Sequence, residues 1–213
     1  MSELIAFHGD PAIKDTYLAR VRAHREADQL IKGTYWQNGK GCAVGCTIHS
    51  SSHAAYEDEL GIPRQLAYLE DRLFENLPNG KAMAWPEAFL DAIPVGADLM
   101  VSFNQFMRWL LIDPEEGVIK FARTERTRKV IEAVGALYDR LLAGEKVSVE
   151  EWRKAASAAY AASAAYAADA ASAAYAAYAA DAGLSREQAY IRQSERLLQL
   201  LRLAPSAQAA SAA

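Results

Sequence analysis

The chain has 213 residues, of which 52% are hydrophobic and 23% are charged, a composition typical of folded globular proteins and unlike that of disordered chains. A chain of this length can bury a core without the help of disulfides or metal ions. The net charge of −4 argues against general nucleic-acid binding, which favours basic surfaces. Two cysteines only four residues apart exclude a disulfide framework.

The sequence carries no recognisable signal for export or membrane insertion. Its start, MSELIAFHGDP, lacks the basic segment and the apolar stretch of a secretory signal. The one candidate for a membrane span is an alanine-rich tract that contains Asp169 and Asp181. Alanine offers too little apolar area to offset a carboxylate in hydrocarbon. We therefore expect a cytoplasmic chain with no membrane partner.

Capping signals and apolar residues at helical spacing predict an all-α fold of seven or eight helices. The predicted helices begin at Asp10-Pro11, Pro63, Trp85-Pro86, near Phe103, near Val130, at Ser148 and at Ser185. The first is expected to end at Gly33, and the second at Pro78-Asn79-Gly80. We expect these helices to form one domain over residues 1–204, followed by a flexible tail over 205–213.

The helix that begins after Ser148 has the most specific start. Ser148 and Glu151 match a capping box, and Val147 and Trp152 stand at the positions of a hydrophobic staple. An alanine-rich tract follows, in which 19 of the 28 residues from 155 to 182 are alanine. Because alanine is the strongest helix former, we predict one long helix over 149–182 that docks in the bundle. Two alternatives are that its tyrosines bind a partner or that it drives homo-oligomerisation.

Residues 34–53 do not match a helix, since Gly39, Gly41 and Gly45 make regular helix costly. This segment is predicted to be a glycine-rich loop or a short hairpin. It also gathers both cysteines of the chain and two of its four histidines. The candidate ligand-binding residues are therefore Tyr35, Trp36, Lys40, Cys42, Cys46, His49 and His53.

Four interpretations of this block remain open. Its Cys and His residues are the types that bind zinc, but they are spaced too closely to surround one ion, so no metal site is predicted. A cysteine activated by a histidine would be a nucleophile. Backbone N–H groups of the loop, together with Lys40, could cradle a phosphate while Tyr35 and Trp36 stack on a base. The fourth interpretation is that the cysteines are small buried apolar residues.

Most of the chain resembles uncharacterised proteins of phages and prophages, which pair a block like GTYWQNGKGCAVGCTIHSSSH with a terminal Ala-Tyr tract. Residues 126–182, with RTRKVIEAVGALYDRLLAGEKVSVEEWRKAA before alanine repeats, are similar to alanine-rich immunity proteins of bacterial toxin systems. The first group has no assigned activity, so the resemblance carries no functional residue over to this chain.

The function predicted from the sequence is that of a non-catalytic binding protein of a phage or mobile element. It would sequester a small nucleotide-like ligand or block a host defence protein, and it would need no cofactor. The alternatives are a cysteine- or metal-dependent enzyme centred on residues 40–53, and an oligomerising scaffold or immunity-type protein.

Overall fold

The computed structural model describes residues 4–163 and 186–207. The predicted all-α fold is confirmed, because helices dominate the described residues and the only sheet among them is a two-stranded hairpin. The described helices are α1 (Pro11–Glu26), α2 (Ala43–Ile48), α3 (Ala55–Leu60), α4 (Arg64–Asn76), α5 (Asn79–Ala92), α6 (Leu99–Ile112), α7 (Glu125–Leu142), α8 (Val149–Ser163) and α9 (Arg186–Arg202). The hairpin strands are β1 (Trp36–Gln37) and β2 (Lys40–Gly41), and single 3₁₀ turns occupy Ala6–Gly9 and Val118–Phe121.

The chain divides into two compact units, residues 1–103 with 190–213 and residues 104–189. Helix α6 contributes its first five residues to the first unit and the remainder to the second. The single all-α domain predicted over 1–204 stays a prediction.

In the first unit, helices α1, α2, α4 and α5 pack against one another. Large side chains from these elements and from α3 fill the core, and Tyr56, Phe74 and Phe89 are fully buried. Helix α2 lies at the centre, because all six of its residues are buried. The short helix α2 therefore fixes the hairpin before it to the core.

Helix α1 begins as the sequence predicts. The Asp10 side chain accepts a hydrogen bond from the Ala12 N–H at 2.8 Å, and Pro11 occupies the first helical position. Its predicted end at Gly33 is wrong, since the helix stops at Glu26. Asp28 adopts a left-handed backbone with φ of 51°, which no continuing helix allows. The chain then turns to the hairpin, where the Ile31 N–H donates to the Gly41 carbonyl at 2.8 Å.

The start of the third predicted helix at Trp85-Pro86 is also wrong. Pro78 has an extended backbone, and its carbonyl accepts hydrogen bonds from the Lys81 and Ala82 N–H groups. Helix α5 therefore begins at Asn79, in the segment that was predicted only to end the preceding helix, and Pro86 lies inside it. A proline within a helix removes one backbone hydrogen bond, but Trp85 and Pro86 are both buried, which fixes this turn by packing.

The second unit contains helices α7 and α8, which pack against each other. The predicted capping box is confirmed: the Ser148 N–H donates to Glu151 Oε2 at 2.8 Å, and the Glu151 N–H donates to Ser148 Oγ at 3.2 Å. Trp152 packs edge-on against Tyr138, with the ring centroids 5.0 Å apart. The predicted helix 149–182 is described as far as Ser163, and the rest of the alanine-rich tract lies outside the described residues.

Residues 205–207, at the start of the predicted flexible tail, form backbone hydrogen bonds with the loop before α6. The Asp98 N–H donates to the Pro205 carbonyl at 2.8 Å, and the Ala207 N–H donates to the Gly96 carbonyl at 3.0 Å. Ala207 is also buried. The backbone of this stretch is thus paired with the loop before α6, and the flexibility of the tail stays a prediction.

Candidate binding site at the hairpin

The block predicted as a loop or hairpin contains both a hairpin and a buried helix. Trp36 pairs with Gly41 and Gln37 pairs with Lys40 across the antiparallel strands. Asn38 and Gly39, the two turn residues, both have positive φ, as a tight hairpin turn requires. The expectation of a loop throughout 34–53 is therefore wrong for Ala43–Ile48, which forms helix α2.

Two glycines allow the hairpin to lie close to helix α2. A Cβ atom at Gly41 would lie 2.1 Å from the Tyr35 carbonyl oxygen, and one at Gly45 would lie 1.5 Å from it. The backbone also uses its donors within the protein, since the Gly41 N–H donates to the Gln29 carbonyl and the Cys42 N–H to the Thr34 carbonyl. The group that approaches both glycines is a carbonyl of the chain itself, and the N–H groups of Gly41 and Cys42 are not free to cradle a phosphate.

Both thiols are buried and point at carbonyl groups. Cys42 Sγ lies 3.7 Å from the Tyr35 oxygen, and Cys46 Sγ lies 3.4 Å from the Gly41 oxygen. Burial raises the pKa of Cys46 to about 11 and raises that of Cys42 still further, with a hydrogen bond to Asp71 adding to the effect. At neutral pH both are thiols that donate weak hydrogen bonds, and a thiol in this state is a poor nucleophile.

On one side of the hairpin, Tyr35 and Tyr68 pack on His53, and we call these three residues the aromatic platform. Tyr68 stacks on the His53 ring at 4.1 Å, and Tyr35 meets its edge at 5.5 Å. His53 is 6% exposed, whereas the two tyrosines are 51% and 57% exposed. The platform thus presents two aromatic side chains to solvent above a buried imidazole.

Asp71 provides the charge next to the aromatic platform. Its Oδ2 lies 3.8 Å from His53 Nε2, which is too far for a hydrogen bond. Among the described residues, neither His53 Nε2 nor Asp71 Oδ1 has a hydrogen-bond partner, although both atoms are buried. The Asp71 charge is the main cause that raises the pKa of Tyr35, and burial lowers the pKa of His53 despite Asp71. Two neighbouring buried atoms of the described residues therefore lack a hydrogen bond.

Trp36, next in sequence to Tyr35, belongs to a second cluster. Its ring stacks on His49 at 4.6 Å, and His24 from α1 meets both rings edge-on. His24 Nε2 lies 2.7 Å from His49 Nε2, and His24 Nδ1 lies 2.5 Å from Gln29 Oε1. We call His24 and His49 the histidine pair.

A buried carboxyl lies in the core beside the site. Glu70 is fully buried, and its Oε2 accepts a hydrogen bond from the Tyr56 hydroxyl at 2.6 Å. Burial raises the pKa of Glu70 to about 8, with the adjacent Asp71 charge acting in the same direction. Glu70 is therefore largely protonated in the folded chain at neutral pH.

The structure distributes the seven predicted site residues over four environments. Tyr35 and His53 join the platform, Trp36 and His49 form the second cluster, and Cys42 and Cys46 are buried. Lys40 is exposed and pairs across the hairpin with Gln37, one position out of phase with Trp36, so it extends from the other face of the strands.

Sequence reasoning did not assign Tyr68, Asp71, His24 or Gln29 to this site. Tyr68 and Asp71 lie three residues apart on one face of α4, and this spacing is the only signal that relates them. Nothing in the sequence relates this face to residue 53, because their proximity depends on how α4 packs against the centre of the unit.

Comparisons with protein-family models, with curated proteins and with solved structures find no match. Within residues 4–163 and 186–207, no three His, Cys, Asp or Glu side chains are gathered so as to hold a metal ion. No helix in that same part of the chain is long and apolar enough to cross a membrane.

Proposed function

We propose that the chain is a non-catalytic binding protein that takes a small nucleotide-like ligand at the aromatic platform. The observation that carries this proposal is the exposure of Tyr35 and Tyr68 on either side of one buried histidine. Only four large hydrophobic side chains of the described residues are exposed, and two of these, Tyr35 and Tyr68, belong to the aromatic platform. An aromatic surface that is open to water can stack on a nucleobase, because every nucleobase is planar and has a π face.

Asp71 favours a particular edge of the base. A carboxylate oxygen accepts hydrogen bonds only, and the Asp71 side chain is 13% exposed beside the platform, so it fits a ligand that presents N–H groups. The exocyclic amino group and ring N–H of guanine are such donors. A phosphate, in contrast, would be repelled by Asp71 and is better placed near Lys40, which is exposed on the same hairpin.

The chemistry of the thiols supports binding over turnover. Cys42 and Cys46 are protonated and engaged with carbonyl oxygens, which leaves the proposed cysteine enzyme without an activated nucleophile in this block. The mobile-element setting of the proposed function rests on the sequence resemblance alone.

Calorimetric titration with GMP, AMP and UMP tests this proposal. We expect saturable binding that is tightest for GMP, and recovery of the nucleotide unchanged. Tyr68→Ala should weaken binding at least about tenfold, since one stacking contact contributes about 1–3 kcal/mol. The control is Leu203→Ala, which removes another exposed apolar side chain far along the sequence from the hairpin.

Two outcomes would contradict the proposal. One is that no nucleotide binds the wild-type chain, and the other is that Tyr68→Ala and Asp71→Asn both bind as the wild type does. Nucleotide hydrolysis that depends on Cys46 would instead favour the enzyme alternative.

A further inference from the structure

The histidine pair brings two imidazole nitrogens to one point from two different helices. His24 is near the end of α1, and His49 directly follows α2. Their Nε2 atoms are 2.7 Å apart, and the two rings are nearly perpendicular at 86°. Both rings are partly open to solvent, so an ion could reach this point.

Gln29 determines which nitrogen of His24 carries the proton. The side-chain oxygen of Gln29 accepts a hydrogen bond from His24 Nδ1, at 2.5 Å. In the neutral ring, Nε2 then has a lone pair, which accepts a hydrogen bond from the His49 Nε2–H at 2.7 Å. Histidines that ligate metals are oriented in the same way, with the second ring nitrogen donating to an oxygen.

The position of His49 is equally constrained. Its backbone is left-handed, with φ of 51° and ψ of 37°, a conformation uncommon outside glycine. Trp36 stacks on its ring at 4.6 Å and 14° between planes. The backbone conformation and the stacked indole thus hold the His49 ring in place beside His24.

We propose that His24 and His49 together bind one divalent late first-row transition ion through their Nε2 atoms. Metal–imidazole bonds are about 2.0–2.1 Å long, so two of them at a right angle separate the nitrogens by about 2.9 Å. To admit the ion, neutral His49 carries its proton on Nδ1 instead of Nε2, so the ion takes the place of the hydrogen bond. The pair then opens by only a few tenths of an ångström. Imidazole ligands favour Cu²⁺, Ni²⁺ and Zn²⁺ over Mg²⁺ and Ca²⁺, and affinity is highest for Cu²⁺.

The two histidines leave the other coordination positions for water or for a bound ligand. The site does not overlap the aromatic platform in its residues, so this inference stands independently of the proposed function. It also differs from the zinc site considered for the cysteines, whose thiols are directed into the core.

Titration of the full chain with Ni²⁺, a redox-inert probe, tests the site. We expect one ion per chain, with Zn²⁺ competing and Mg²⁺ having no effect. His24→Gln and His49→Asn should each lose at least about tenfold in affinity. Asparagine tolerates the left-handed backbone at residue 49, so the fold is expected to persist in that variant. His8→Gln is the matched control and should bind as the wild type does.

Trp36 provides a second readout. A paramagnetic Ni²⁺ ion beside His49 should quench the fluorescence of the indole stacked on that ring, and Trp36→Phe should abolish the quenching while calorimetric binding persists. The proposal is overturned if the wild type binds no Ni²⁺, or if both histidine variants bind it unchanged while retaining the wild-type circular dichroism spectrum.

Discussion

Gly45 shows how one residue can determine the architecture of the hairpin. Its lack of a side chain allows the Tyr35 carbonyl to pack against helix α2, where a Cβ atom would lie 1.5 Å from the oxygen. The phosphate interpretation of this block expects an anion against the backbone around these glycines. The close neighbour is instead a backbone carbonyl of the same chain.

We predict that Gly45→Ala lowers the free energy of unfolding by about 3 kcal/mol or more, because backbone must move to accept the methyl group. Chemical denaturation measures this change. Gly80→Ala is the matched control: it lies in helix α5 with nothing within 4 Å of the added Cβ atom. That variant should be unchanged or more stable by up to about 1 kcal/mol. Equal stability of Gly45→Ala and the wild type would contradict the packing described for α2.

Glu70 makes the stability of the chain depend on pH. Its pKa is about 8 in the folded chain, against about 4.3 when unfolded. Between these values the folded state holds a proton that the unfolded state has lost, so the free energy of unfolding falls as pH rises through this window. His53, whose pKa is lowered by burial, contributes in the opposite direction below its unfolded pKa.

We therefore predict that Glu70→Gln removes part of the loss of stability between about pH 5 and 8, since the amide does not titrate. Urea unfolding of both proteins across this range isolates the contribution of Glu70, because His53 is the same in each. Identical slopes of stability against pH would show that Glu70 is not protonated in the folded chain.

Helix α8 is stabilised at its start by a reciprocal cap. Arg140 forms ion pairs with Glu145 and Glu151, and Glu151 also accepts hydrogen bonds from Ser148. The side-chain bond to Arg140 is the main cause that lowers the pKa of Glu151 to about 2, with the bonds from Ser148 adding to it. The carboxylate thus remains charged throughout the physiological range.

We predict that Ser148→Ala destabilises the chain by about 1 kcal/mol, because one N-terminal N–H of α8 loses its acceptor. Ser148→Asp retains an acceptor at the same place and should stay within a few tenths of a kcal/mol of the wild type. Thermal unfolding followed by circular dichroism distinguishes the two. If alanine and aspartate had the same effect, the cap would contribute nothing to this helix.

Long helices with caps could be predicted from the sequence, and the two short helices α2 and α3 could not. Asp10-Pro11 and Ser148 mark helix starts through local hydrogen bonds, which depend on neighbours in sequence. Helices α2 and α3 have six residues each, too few for a hydrophobic period to be detected. Burial at the centre of the unit stabilises α2 despite Gly45. This tertiary effect is not part of the intrinsic helix propensity of the residues.

The candidate site was predicted only in part, for the same reason. The sequence indicated the hairpin block, and the structure places Tyr35 and His53 together within it. The partners that give each cluster its chemistry come from other helices: Tyr68 and Asp71 from α4, and His24 from α1. These contacts depend on the packing of helices that are far apart in sequence. The thiols, by contrast, were correctly considered as buried apolar residues among the alternatives.

For the molecule as a whole, we propose that the first unit binds a planar ligand and does not transform it. The aromatic platform, the unpartnered Asp71 oxygen and Lys40 all belong to that unit. The alanine-rich tract beyond Ser163 lies outside the described residues, so its docking, its partner binding and its part in an oligomer stay predictions.

Native mass spectrometry of the chain with equimolar GMP tests this claim most directly, because it weighs the intact complex and the released ligand. We predict one nucleotide per chain, released with its mass unchanged, and loss of the complex in a Tyr35→Ala, Tyr68→Ala double variant that keeps the wild-type melting temperature. A complex that survives in the double variant, or a ligand released with an altered mass, would contradict the account.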